Sequence, residues 1–93
     1  SELCGRTFDS KEEARRGEEL ALLERAGEIT NLLYQEKYTL CKKPKVTITI
    51  DFVFQDGGTN TFYEDVKGVL TRDFRTKLCW LHEKFGIDVK LIR

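Results

Sequence analysis

The sequence predicts a single α/β domain, a mixed and largely antiparallel sheet flanked by helices in the order helix, strand, strand, strand, helix, strand. Three observations carry that reading. Nine residues, VTITIDFVF, alternate with the two-residue period of a half-buried strand. The turn cluster QDGGTN separates them from FYEDVKG, as in an antiparallel hairpin. Runs at helical spacing stand before and after this pair, each stopped by a glycine, Gly27 and Gly86. A chain of 93 residues buries only about 60 to 65 per cent of the surface its unfolded form exposes, so residues 1–93 hold one core and one domain.

The first helix opens with Ser10-x-x-Glu13, the spacing of a capping box, and runs through KEEARRGEELALLERAG. Leu20, Ala21 and Leu23 supply its apolar stripe. Stepping by turns from Glu13 through Gly17 to Leu20 sets Glu13 at the top of the inward side and turns Glu12 and Glu19 away. Gly17 costs roughly 1 kcal/mol against alanine inside a helix, which points to close approach of another backbone. After Ile29, NLLYQEKYTL reads as an extended segment or first strand, and Pro44 breaks the chain between lysines.

In VTITIDFVF, strict alternation puts Val46, Ile48, Ile50, Phe52 and Phe54 on one face and Thr47, Thr49, Asp51 and Val53 on the other. In FYEDVKG it puts Tyr63, Asp65 and Lys67 together, opposite Phe62, Glu64 and Val66, so Glu64 is set aside as a bystander. TRDFRTKLCWLHEKF is the second helix, with Phe74, Leu78 and Leu81 or Phe85 inward, and IDVKLI is the closing strand.

Composition narrows the function classes. No run of about 18 apolar residues exists to span a membrane. The N-terminal SELCGRTFDS has neither a signal-peptide core nor an Arg-rich amphipathic pattern; lacking an initiator Met, it reads as a trimmed end, and residues could be missing at either terminus. Cys4, Cys41 and Cys79 are odd in number, far apart and without C-x-x-C spacing, which fits isolated buried or half-buried thiols in a reducing cytoplasm better than disulfides or zinc. Net charge is zero, yet residues 1–36 carry nine acidic and five basic side chains and residues 37–93 seven acidic and eleven basic. The C-terminal half is therefore the expected nucleic-acid-binding side, through Arg72, Arg75, Lys77, Lys43 and Lys45, with Lys42 and Lys84 nearby in sequence. Taken singly, each of these is also an ordinary solvated charge.

The chemistry-bearing set is Asp51 on one strand and Asp65-x-Lys67 on the strand hairpinned to it. Two carboxylates suit a hard divalent cation such as Mg2+ or Mn2+, with water filling its remaining positions. A lysine two residues on shares the face of Asp65 and can orient the attacking water and offset charge on a phosphate. The bland reading is a same-face strand pair worth tenths of a kcal/mol. What speaks for chemistry is the joint placement after an Asp-bearing strand and before a helix carrying Arg72, Arg75 and Lys77.

That arrangement resembles the PD-(D/E)XK nuclease superfamily, with its restriction-endonuclease-like αβββαβ core, an Asp on the second strand and (D/E)-x-K on the third. FDSKEEARR, LLERAGEI, DFVF and EDVKG further resemble a family of small bacteriophage proteins of formerly unknown function, related to Holliday-junction resolvase-like endonucleases. The resemblance spans Phe8 to the last helix. It implies that Asp51 and Asp65 are metal ligands, Lys67 is the catalytic lysine and Glu13 is the helix-borne acidic member of the site. Glu13 has an equal claim as the carboxylate of its own capping box. Ile50 stands where the superfamily name has Pro. The resemblance also implies a metal-dependent DNA endonuclease, leaving a 5′-phosphate and a 3′-hydroxyl, acting on branched or structured DNA as a homodimer in a bacterial or phage-infected cell.

Two other classes compete: a non-catalytic module holding nucleic acid or a protein through a nuclease-like fold, and a structural assembly protein that binds no divalent metal. His82 lacks an obvious nucleophile partner and reads as a surface or packing residue; Trp80, Phe74 and Phe85 read as core or interface residues. Gly57-Gly58 form a turn, since no phosphate-loop sequence follows them.

Overall fold

The computed structural model describes residues 11–67 and 69–92. They form α1 (Lys11–Arg25), β1 (Thr30–Cys41), β2 (Val46–Gln55), β3 (Thr61–Val66), α2 (Arg72–Phe85) and β4 (Val89–Ile92). The extended segment after Ile29 is thus a full strand. Ser10, and with it the capping-box reading of Glu13, lies outside the described residues, as does Cys4.

Local chemistry fixes the helix ends. The Thr71 hydroxyl accepts from the Phe74 N–H at 3.2 Å and starts α2. At the other end Gly86 adopts a φ of 68° and donates to the His82 carbonyl at 2.7 Å, a left-handed stop that only glycine makes without cost. In the sheet, ordered β1-β2-β3-β4, the first two pairings are antiparallel hairpins, and β4 returns through α2 to lie parallel to β3. The architecture is a small α/β fold with a four-stranded mixed sheet and two helices, in αβββαβ order.

Apolar side chains fall into two clusters. Leu40, Ile48, Ile50, Val53, Leu81 and Ile87 pack with Phe74 and Leu78 of α2, whereas Leu20 of α1 packs with Ile29, Phe52 and Phe54. Strict alternation along β2 is therefore wrong: Ile48 and Ile50 belong to the α2 side, Phe52 and Phe54 to the α1 side. β1 makes the same exchange, with Tyr38 and Leu40 in the first cluster and Leu32 and Tyr34 in the second. The exchange falls at Gln35 and Asp51, and Gln35 has a φ of 52°. On β1 this left-handed residue breaks the two-residue period that alternation presumes, and β2 follows through a ladder that stays in register, Tyr34 with Phe52 and Glu36 with Ile50.

The inward side of α1 is Glu13, Gly17 and Leu20, as the helical spacing predicts, but Leu23 is exposed. On α2, Leu81 is buried, whereas Phe85 and Trp80 are exposed rather than part of the core. Cys79 is exposed and Cys41 half-buried, so the expectation of buried thiols fails for Cys79. Among the described residues no helix is long and apolar enough to cross a membrane.

Candidate active site

The β2–β3 ladder runs from Gln55↔Thr61 to Phe52↔Glu64 and stops one pair short of Asp51 and Asp65. There the strands part, and the two carboxylates take over the backbone's hydrogen bonding. The Asp51 N–H donates to Asp65 Oδ1 at 2.9 Å, and the Val66 N–H donates to Asp51 Oδ2 at 2.9 Å. Each acid thus fills a gap that the missing ladder bonds would leave, which locks both side chains in the opening. Asp51 is buried, and Asp65 has no solvent exposure.

Asp65 Oδ2 accepts no hydrogen bond although it is buried. Its charged neighbour is Lys67, whose Nζ lies 3.3 Å away, at ion-pair range. The ammonium group is held from its other side by the Phe74 ring, whose centroid is 4.2 Å away, and the Lys67 backbone N–H is fixed by the Ile92 carbonyl at 3.0 Å. Burial pushes the Asp65 carboxyl up to about 6, with the charge of Asp51 adding to the rise and the Asp51 amide and Lys67 opposing it.

Glu13 is buried at the α1 side of the opening and accepts from Gln35 Nε2 at 2.9 Å; the same nitrogen donates to Asp51 Oδ1 at 3.0 Å. The expected residues Glu13, Asp51, Asp65 and Lys67 are therefore gathered in one place. They lie in the split between β2 and β3, with α1 on one side and Phe74 of α2 on the other, rather than on a single sheet face as alternation implied. Gln35 was not foreseen, because nothing in the NLLYQEKYTL pattern marks a left-handed glutamine.

Glu64 is no bystander. It is buried, and its carboxylate takes a two-pronged grip from Arg16, Nε to Oε1 at 2.7 Å and Nη2 to Oε2 at 2.9 Å. Arg16 is three residues from Glu13, so this clamp fixes the helix face that presents Glu13 to the opening. That spacing was legible in the sequence; its partner on β3 was not.

The basic residues divide. Arg72 and Arg75 are exposed on the first turns of α2, flanking the Phe74 that holds Lys67, and Lys77 pairs with Asp73 at 3.5 Å. Lys43 and Lys45 sit in the β1–β2 turn; Lys45 is six residues before Asp51, roughly 20 Å along an extended strand, so these two are not brought to the acidic opening. Lys84 is engaged with the Leu40 carbonyl at 3.2 Å. His82 pairs with Asp88 at 2.8 Å on the surface, as its surface reading implies.

Among the described residues no three His, Cys, Asp or Glu side chains form a ready metal cage. A hard cation does not require one, since one or two carboxylates with water and substrate oxygens suffice. The buried Asp65 Oδ2, faced by Lys67 at 3.3 Å and set beside a second fixed carboxylate, would suit such an ion.

Residues 2–92 match the model of a family described as "Protein of unknown function (DUF1064)". No curated protein matches the chain, and no solved structure does.

Proposed function

The chain belongs to the DUF1064 family, whose description assigns no function, and from the geometry of its acidic opening we propose that it is a metal-dependent DNA endonuclease of the PD-(D/E)XK type. The observation that carries the reading is the parting of β2 and β3 at Asp51 and Asp65, whose carboxylates bond across to the facing strand while Lys67 stands 3.3 Å from a buried oxygen that accepts no hydrogen bond. Asp51 and Asp65 would hold Mg2+ or Mn2+, with Glu13 at the edge of the site. Bound there, the cation supplies charge to polarise a phosphate and to lower the pKa of water.

The chain's own residues do the rest. Lys67, fixed between Asp65 and Phe74, is placed to orient the attacking water and to offset charge gathering on the phosphate. Water adds to phosphorus in line with the 3′-oxygen, which leaves as the 3′-hydroxyl and the phosphate stays on the 5′ end. Arg72 and Arg75 grip the DNA backbone beside this point. Lys43 and Lys45, at the far end of β2, would meet only DNA that runs well past the cut.

The substrate class we propose is branched or otherwise structured DNA, such as a four-way junction, by analogy with the family the sequence resembles. Cutting paired strands takes two sites, so a homodimer follows, with the exposed Trp80 of α2 in its apolar surface. The test incubates the protein with labelled four-way junction, flap and linear duplex DNA, with Mg2+, Mn2+ or EDTA. Cation-dependent cutting of branched substrates is the expected result; binding without cutting on every substrate transfers the case to a non-catalytic DNA-binding module.

A further inference from the structure

β1 lends the acidic opening a side chain that the proposed reaction does not use. Gln35 Nε2 donates to Glu13 Oε2 and to Asp51 Oδ1 at 2.9 and 3.0 Å, and so joins α1 to β2. It does this from a backbone with a φ of 52°, in the left-handed region, which costs a residue with a Cβ about 1–2 kcal/mol. Strain of this kind persists where surrounding bonds over-determine it, and it gathers at functional sites.

The residue type matters as much as the position. Two carboxylates beside one another repel, and a donor between them offsets that repulsion as a cation would. A lysine there would compete with a cation at all times, and a third carboxylate would add to the repulsion. An amide alone has two ends of nearly equal shape and opposite polarity, N–H donors on one and a carbonyl oxygen on the other. A half-turn about Cγ–Cδ exchanges a hydrogen-bond donor for an oxygen of the kind that hard cations accept as ligand. Gln35 is exposed, so the turn requires no repacking. The same opening holds Asp65 Oδ2, buried and accepting no hydrogen bond.

Resting on the cation-site reading above, we propose that Gln35 is a further member of that site. Its amide nitrogen holds Glu13 and Asp51 in register when no ion lies between them, and its amide oxygen turns inward as a ligand when Mg2+ or Mn2+ binds.

The experiment is calorimetric titration of Mn2+ into the wild-type protein, Gln35→Ala and Gln35→Gly, with the melting temperature of each measured in EDTA. Both variants lose the amide, but Gln35→Gly also relieves the left-handed backbone, so a loss of binding common to both is not a folding defect. The expected result is weakening of Mn2+ affinity by about tenfold or more in both variants, with Gln35→Gly melting at or above Gln35→Ala. Mn2+ affinity equal to or tighter than wild type would overturn the assignment alone, since the amide would then merely fill the space. A wild-type protein that takes up no Mn2+ would overturn it together with the cation-site reading.

Discussion

Asp65 carries its charge at a cost. Its folded pKa, about 6, stands above the ordinary 3.8, so the native state holds the proton more tightly than the unfolded chain does. As pH rises from 3.8 to about 6 the unfolded chain ionises first and stability falls; above that range the loss is complete, on the order of 1–3 kcal/mol. In EDTA, Asp65→Asn is therefore expected to raise the urea midpoint at pH 7.5 and to raise it clearly less at pH 4.5. Equal effects at both pH values would remove burial as the cause. For Lys67→Ala the expectation is a cleavage rate lower by about 10²–10⁴, with Mn2+ binding retained; rate and calorimetry together check it. Asp51, Asp65 and Lys67 were legible in the sequence because strand period and hairpin order alone place them on neighbouring strands. Gln35 was not, since its role depends on a φ that glutamine seldom adopts.

Elements hold these residues through a few joints. The Arg16–Glu64 clamp ties α1 to β3 immediately beside Asp65; removing Arg16 leaves Glu64 buried without its counter-charge, whereas Arg16 is half-buried and also pairs with Glu19 at 3.1 Å. Arg16→Ala is expected to cost about 3–5 kcal/mol, and Thr71→Ala, which removes only the α2 cap, about 1 kcal/mol; urea denaturation in EDTA ranks the two. A reversed ranking would mean that the clamp is not what seats α1. The strands and helices could be read from hydropathy period, turn glycines and caps because those signals are local. The exchange of faces at Gln35 and Asp51 could not. It takes both hairpin strands together, and it splits a nine-residue alternation into Ile48 and Ile50 against α2 and Phe52 and Phe54 against α1.

Across the whole molecule, the charge asymmetry read from the sequence resolves into two basic groups with different expectations. Arg72 and Arg75 flank the residue that holds Lys67, so substituting either with Ala is expected to weaken DNA binding at all sequences and to lower the slope of log affinity against log salt by about 1. Lys43→Ala is expected to change binding of a short duplex little, because the β1–β2 turn lies far from the acidic opening. Fluorescence anisotropy across a salt series measures both, and equal effects would contradict the placement of DNA along α2. The fold order was legible at this scale, whereas the distance that separates the two lysines of the turn from Asp51 is set by the length of β2 and its register. The central claim is most directly tested by cutting of a labelled four-way junction by the wild-type protein, Asp65→Ala and Lys67→Ala in Mg2+, Mn2+ and EDTA. Cation-dependent cleavage that Asp65→Ala abolishes and Lys67→Ala lowers by about 10²–10⁴ is the result expected here; no cleavage by the wild-type protein, or cleavage at the wild-type rate by either variant, would contradict it.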